Sequence, residues 1–184
     1  LTLPERAARA LDDLGRFGVH LGLGHVARLL AALGDPHLAY PTILVAGTNG
    51  KGSTAALLAA MATAAGRRTG LYTSPHLESV EERVRVDGRP VAGELLGDAV
   101  LEVMAAARRL QAAGDLDAPP TYFEAVTAAA ALALRTAAVE LAVLEVGLGG
   151  RLDATNTADP VLSVITPVAM DHGAILGATL AAVA

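Results

Sequence analysis

Four short runs of aliphatic and β-branched character, at 42–45, 69–72, 141–146 and 161–166, punctuate the chain. Each is too short for a stable helix, and little in any of them alternates with polar positions, so each predicts a strand buried on both faces. Between them the hydrophobic period lengthens. Leu3, Ala7, Leu11 and Leu14 mark a weak amphipathic helix over 3–14, and a second over 25–33 is closed by Gly34 and Asp35-Pro36. An Ala- and Leu-rich segment over 55–65 predicts a third, with Gly66 placed as its cap. Leu96, Val100, Val103, Ala107 and Leu110 give a long one over 93–113. An almost wholly apolar helix follows residue 121 to about residue 138, and a last helix is expected after Asp171-His172 to the final residue. Residues 84–91 alternate around Asp87-Gly88, a hairpin signal at the rim of a sheet. Residues 15–24, 114–120 and 147–159 are glycine- or turn-rich and predict loops. Strands alternating with helices imply an α/β fold, a largely parallel sheet flanked by helices.

The chemistry concentrates where the first of these strands becomes a helix, TILVAGTNGKGST over 42–54. Strand, glycine turn and helix form the setting in which backbone N–H groups face one anion and the helix N-terminus adds positive partial charge. Lys51 is the only lysine in the chain. Between two glycines at a helix mouth it fits a point charge for terminal phosphates. The turn departs from GxxxxGK[ST]: residue 46 is Ala, Gly47 precedes Gly50 by three residues, and Gly52 separates Lys51 from Ser53.

Glu145 ends an apolar strand, where a carboxylate needs solvent, a partner or a cation. Ligands of open α/β sheets lie beyond the carboxyl ends of strands, so Glu145 and the glycine turn are expected at one edge, with Glu145 as a Mg²⁺ ligand. The glycines of GLGGRLD, 147–153, allow close backbone approach, and Arg151 suits a phosphate or carboxylate. Asp153 and Asn156 fit local turn hydrogen bonds. Asp171-His172 is open to two readings, metal ligation or capping of the last helix. Ser74 reads as an ordinary loop serine. Thr121 and Glu124 form a T-x-x-E capping box, and Tyr122 and Phe123 fit the core better than a flat heteroaromatic ligand. His20, His25 and His37 have no spacing that suits a compact metal site.

With 184 residues, the chain suits one domain with a substantial core, 53% of it hydrophobic. A net charge of −5 excludes a broad nucleic-acid footprint, so any anion site is local. No segment reads as a membrane span or a signal peptide. The absence of cysteine excludes disulfides and thiolate metal sites and fits a reducing, cytoplasmic setting. Leu at residue 1, in place of Met, suggests trimmed ends.

VAGTNGKGST, YTSPHL, TYFE, EVGLGGRLDATN and DHxxxLG, in this order, resemble folylpolyglutamate synthase/dihydrofolate synthase of the Mur ligase superfamily. The resemblance runs from about residue 21 to 176, and EVGLGGRLDATN is its most specific part. It implies a P-loop-type Mur ligase central domain over 1–184, truncated, with the C-terminal glutamate-ligase domain absent. ATP phosphates would rest on Gly47, Thr48, Asn49, Gly50, Lys51, Gly52 and Ser53. Ser74, Glu145 and His172 would hold Mg²⁺, and Lys51, Glu145 and His172 would serve catalysis. Thr121, Tyr122, Phe123 and Glu124 would line the pterin site, with Leu152 near it. The implied reaction joins L-glutamate to dihydropteroate or a folate glutamate tail through an acyl phosphate, in a monomer when full length. Gly24-His25 stands where family members commonly carry Glu-Arg. The chain alone is not expected to complete ligation. Two alternatives are another Mur-type ligase acting on a peptidoglycan precursor, disfavoured by Gly52 after the lysine, and a nucleotide-binding module that does not ligate.

Overall fold

The computed structural model describes residues 1–16 and 22–183. Residues 17–21 of the predicted 15–24 loop, His20 included, lie outside the described residues. Six strands form one sheet: β1 (Thr42–Ala46), β2 (Thr69–Tyr72), β3 (Val84–Val86), β4 (Arg89–Pro90), β5 (Leu141–Glu145) and β6 (Pro160–Ile165), in the order β4-β3-β2-β5-β1-β6. The pairs β2–β5, β5–β1 and β1–β6 are parallel, whereas β2–β3 and β3–β4 are antiparallel, so the Asp87-Gly88 hairpin forms the rim as expected. Val45 stands opposite both Glu145 and Val164, and Tyr72 opposite Leu144. The parallel strands therefore end together, and their following loops emerge along one edge.

Five longer helices cover the sheet: α1 (Leu3–Asp12), α2 (Gly24–Ala32), α3 (Lys51–Ala64), α4 (Gly93–Ala113) and α5 (Tyr122–Thr136). α5 is buried without interruption from Glu124 to Leu134. Its alanines allow it to lie low on the sheet: a Cβ at Gly70 would come within 2.6 Å of Leu134 Cδ2. α4 and α2 pack over α5, and α1 packs over α4, all in one cluster with Leu44, Tyr72 and Leu144. On the opposite face, Ala55 and Ala59 of α3 meet Val45, Leu71 and Val143.

Three expectations change. α3 begins at Lys51, a turn before residue 55, because Gly50 at φ +84° supplies the left-handed step that starts it. The final segment is two short turns, α6 (Gly173–Leu176) and α7 (Leu180–Val183), parted at Gly177 with φ +119°. β6 is an edge strand: Val161 and Ile165 are 70% and 71% exposed, although its composition reads as buried. An apolar run fixes strand character, but the neighbours it receives decide its burial. The 147–159 loop also contains a 3₁₀ turn over Ala154–Thr157.

Candidate functional site

β1 leads into Gly47 at φ +124°, a position where a Cβ would strike Thr166 and come within 2.7 Å of its carbonyl oxygen. The turn is fastened to the segment after β6. Thr48 and Asn49 donate their N–H groups to the Pro167 carbonyl at 3.1 and 3.3 Å, and Thr48 Oγ1 donates to the Ala169 carbonyl at 3.1 Å. Those two amides are thereby engaged. The amides of residues 51–53, in the first turn of α3, have no carbonyl four residues back within the helix and point outward from its positive end. Lys51 Nζ curls over the turn, donating to the carbonyls of Gly47 at 2.9 Å and Thr48 at 3.3 Å. Among the described residues its hydrogen bonds go to these backbone oxygens alone, and its charge acts on Glu145.

Glu145 is 6% exposed. One carboxylate oxygen accepts the Ser74 N–H at 3.1 Å, and the carboxylate faces Gly52. Burial raises its pKa above the usual carboxylate range, against the pull of the Ser74 N–H and the Lys51 charge. A desolvated carboxylate held by the Ser74 N–H, next to a phosphate-type turn, suits Mg²⁺, which takes one or two carboxylates and completes its shell with water and phosphate. The residues present thus fit the ion. Among the described residues no group of three or more His, Cys, Asp or Glu is placed to hold a metal by itself.

A cavity of about 220 Å³ opens beside the turn, lined by Lys51, Thr48, Arg151, Asp171 and His172 among others. His172 occupies the N-cap position of α6 in the left-handed region, φ +49°, with Nε2 3.7 Å from Asp171. The structure places it in this cavity with Lys51. No ion pair joins it to Glu145 among the described residues. It stands where the capping reading placed it, but its side chain makes no capping hydrogen bond.

The TYFE and GLGGRLD segments meet. Thr121 and Glu124 form the capping box, Thr121 N–H to Glu124 Oε2 at 2.7 Å and Glu124 N–H to Thr121 Oγ1 at 3.2 Å. Phe123 lies under Gly147, whose Cβ would be 2.6 Å from the ring edge. Asp153 accepts the N–H groups of Gly147, Leu148 and Thr155 at 3.0, 2.8 and 3.0 Å and the Thr155 hydroxyl at 2.5 Å. Asn156 donates to the Arg151 carbonyl at 3.1 Å. Both side chains make the local bonds expected of them. Leu152 is 43% exposed on this loop. Tyr122, half-buried, carries the Arg83 guanidinium 5.5 Å from its ring centre. Arg83 escaped the sequence reading because it follows Glu81 and Glu82 just before the 84–91 hairpin, where an arginine reads as part of a solvated run of charges.

His25 Nε2 pairs with Asp117 at 2.6 Å, and burial lowers the pKa of His37. Neither joins a group that could hold a metal ion among the described residues. Among the described residues, no helix is long and apolar enough to cross a membrane.

No protein-family model matches the chain. A probable bifunctional folylpolyglutamate synthase/dihydropteroate synthase of Haloferax volcanii is 48% identical over 178 residues, covering 97% of this chain and 21% of that protein. The apo form of Lacticaseibacillus casei FPGS superposes with a TM-score of 0.91 at 39% identity, covering 98% of this chain and 44% of that one. Escherichia coli FolC in complex with DHPP and ADP gives 0.87 at 36%, covering 100% and 42%. The chain thus spans about a fifth of the curated relative and about two fifths of the solved structures. Over that segment the chain is a homologue of folylpolyglutamate synthase/dihydrofolate synthase and has their Mur ligase fold.

Proposed function

We propose that this chain supplies the ATP-binding segment of an ATP-dependent ligase that joins L-glutamate to dihydropteroate or to folate glutamate tails. The observation that carries the reading is the convergence of Lys51, the first turn of α3 and the Glu145–Ser74 pair at one sheet edge. Solved relatives at 36–37% identity hold ADP or AMPPCP. The first-turn amides of α3 and the Lys51 ammonium bind the triphosphate, with Gly47 and Gly50 giving the turn its shape. Thr48 and Asn49 contribute by locking the turn onto the segment after β6. Glu145, Ser74 and His172 would hold Mg²⁺, which would supply positive charge to the phosphates when bound. Phosphoryl transfer needs positioning and charge neutralisation more than covalent help from the protein. The acceptor carboxylate takes the terminal phosphoryl group, and the amino group of glutamate displaces phosphate from the resulting acyl phosphate. Thr121, Tyr122, Phe123, Glu124 and Leu152 border the acceptor's flat ring. We assign residues 1–184 to the central nucleotide-binding domain; the E. coli relative, with its DHPP ligand, supports the folate-type acceptor.

The test is calorimetric titration of the chain with Mg·ATP. Lys51→Ala is expected to lose at least about tenfold in affinity, in keeping with removal of a charge-assisted contact. An unchanged affinity overturns the assignment of the turn.

A further inference from the structure

Arg83 is an arginine that the proposed nucleotide site does not use. It is 8% exposed, and among the described residues no carboxylate lies within 4 Å of its guanidinium. Its Nε–H donates to His76 Nδ1 at 2.8 Å, which requires that nitrogen to be unprotonated, so the partner adds no negative charge. The Tyr122 ring stacks over one side, Cζ 5.5 Å from its centre. The guanidinium also acts on the Tyr72 hydroxyl, which burial pushes up to about 12 and which therefore stays neutral. Asp12 and Glu81 act on Tyr122, and Asp153 on Tyr72, from further away, but the groups in direct contact with the guanidinium are neutral. A buried guanidinium without a carboxylate in contact is an incomplete arrangement, and an anion that reaches it offsets its desolvation.

The position of Arg83 says which anion. Its carbonyl accepts the Thr73 N–H at 2.9 Å, so its backbone is tied to the residue before Ser74, whose own N–H is on Glu145. On its other side stands Tyr122, at the start of the TYFE turn. Arg83 thus lies between the Ser74–Glu145 corner and the Tyr122–Phe123 surface. A substrate whose flat ring rests on that surface, and whose acid must reach the nucleotide, has to bring its carboxylate past this guanidinium.

We infer that Arg83 binds the carboxylate of the acceptor and holds it toward the Ser74–Glu145 corner. The inference rests on the proposed ligase function and adds to it a recognition element for the acid itself. The planar fork of arginine matches a carboxylate bidentately, whereas a lysine offers only a point charge.

The test measures equilibrium binding of dihydropteroate and of its carboxamide to the whole chain, with thermal unfolding as the check of fold. Wild type is expected to bind the acid at least about tenfold more tightly than the amide. Arg83→Gln is expected to bind both at the wild-type level for the amide, and Arg83→Lys to keep a preference of about threefold or less. A purely structural role for Arg83 would weaken both ligands equally and leave the preference intact. A full preference in Arg83→Gln, or no preference in wild type, overturns the inference while leaving the ligase reading standing. Should Arg83→Gln not fold, an undiminished preference in Arg83→Lys overturns it equally. Failure of wild type to bind either pteridine removes the folate-acceptor reading, and this inference with it.

Discussion

Gly52 lies against the carboxylate of Glu145: a Cβ built on residue 52 would stand 3.3 Å from Oε1 and 3.4 Å from Oε2. The glycine after Lys51 is therefore the floor on which the candidate metal ligand rests. Two effects oppose each other in Gly52→Ala. Alanine in place of glycine near a helix start stabilises by roughly 0.5–1 kcal/mol, while the carboxylate must give by a few tenths of an ångström. We expect the ligand-free variant to be as stable as wild type or more so. Mg·ATP affinity should fall by about tenfold, since displacing a positioned ligand costs on that order. Parallel thermal unfolding and calorimetry separate the two; loss of stability with affinity retained would contradict the assignment.

Glu145 carries a pH signature. Burial raises its folded pKa, so the fold holds that proton to higher pH than the unfolded chain does. Stability then falls as pH rises from the ordinary carboxylate value through the raised one. Glu145→Gln removes this penalty. Its melting temperature without metal should exceed that of wild type at pH 7 to 8, and the difference should vanish below the ordinary carboxylate range. Addition of Mg·ATP should stabilise wild type more than the variant, which keeps Lys51 and the α3 amides but loses the carboxylate, and differential scanning in matched buffers would read the difference directly.

How much of this was visible beforehand depends on how local each determinant is. The helix over 93–113 was legible because its apolar period runs cleanly and Gly114, at φ +81°, ends it. The hairpin was legible from Asp87-Gly88, both of positive φ. The early start of α3 was hidden, because Gly52, Ser53 and Thr54 have loop composition and become helical through Gly50 and the neighbours of the turn. The exposure of β6 and the role of Arg83 depend on which elements lie alongside, and no local pattern encodes that. The same holds for Pro167: nothing near residue 48 announces that a carbonyl more than a hundred residues away will occupy two amides of the glycine turn.

Asp153 gives a stability prediction independent of ligands. Its carboxylate serves three backbone N–H groups and one hydroxyl, and it is 6% exposed. Asp153→Ala leaves those buried donors without an acceptor, at a cost of about 2–4 kcal/mol. Denaturant titration should show it. Hydrogen exchange at the Gly147 and Leu148 amides should quicken more than at β5, because the loss begins in the glycine loop. Uniform acceleration across the sheet would argue against a local anchor.

At Thr121 the cap and the candidate substrate contact can be told apart. Thr121→Ala removes the oxygen that accepts the Glu124 N–H and should cost about 1 kcal/mol. Thr121→Ser keeps that oxygen and should restore stability to within a few tenths of a kcal/mol. If serine restores stability but leaves dihydropteroate affinity reduced, the methyl group touches the acceptor. If both recover together, the residue acts through the helix it caps.

Glu82 ties together the loop that carries Ser74 and leads to Arg83. Its carboxylate accepts the N–H groups of Leu77, Glu78 and Ser79 at 2.9, 2.7 and 2.8 Å. Those donors hold its pKa at about 2, below the usual 4.5. For a depressed acid the sign is opposite to that of Glu145: the contribution is complete above the ordinary value and disappears as pH falls through about 2. Carbon-detected NMR titration should place the Glu82 carboxyl midpoint near 2, with the three loop amides shifting in step. Glu82→Gln removes the charge that favours three donors at once, so these amides should exchange faster at neutral pH while the Gly70–Val86 pairing of β2 and β3 persists. A midpoint near 4.5 would mean that the loop is held by something other than this carboxylate.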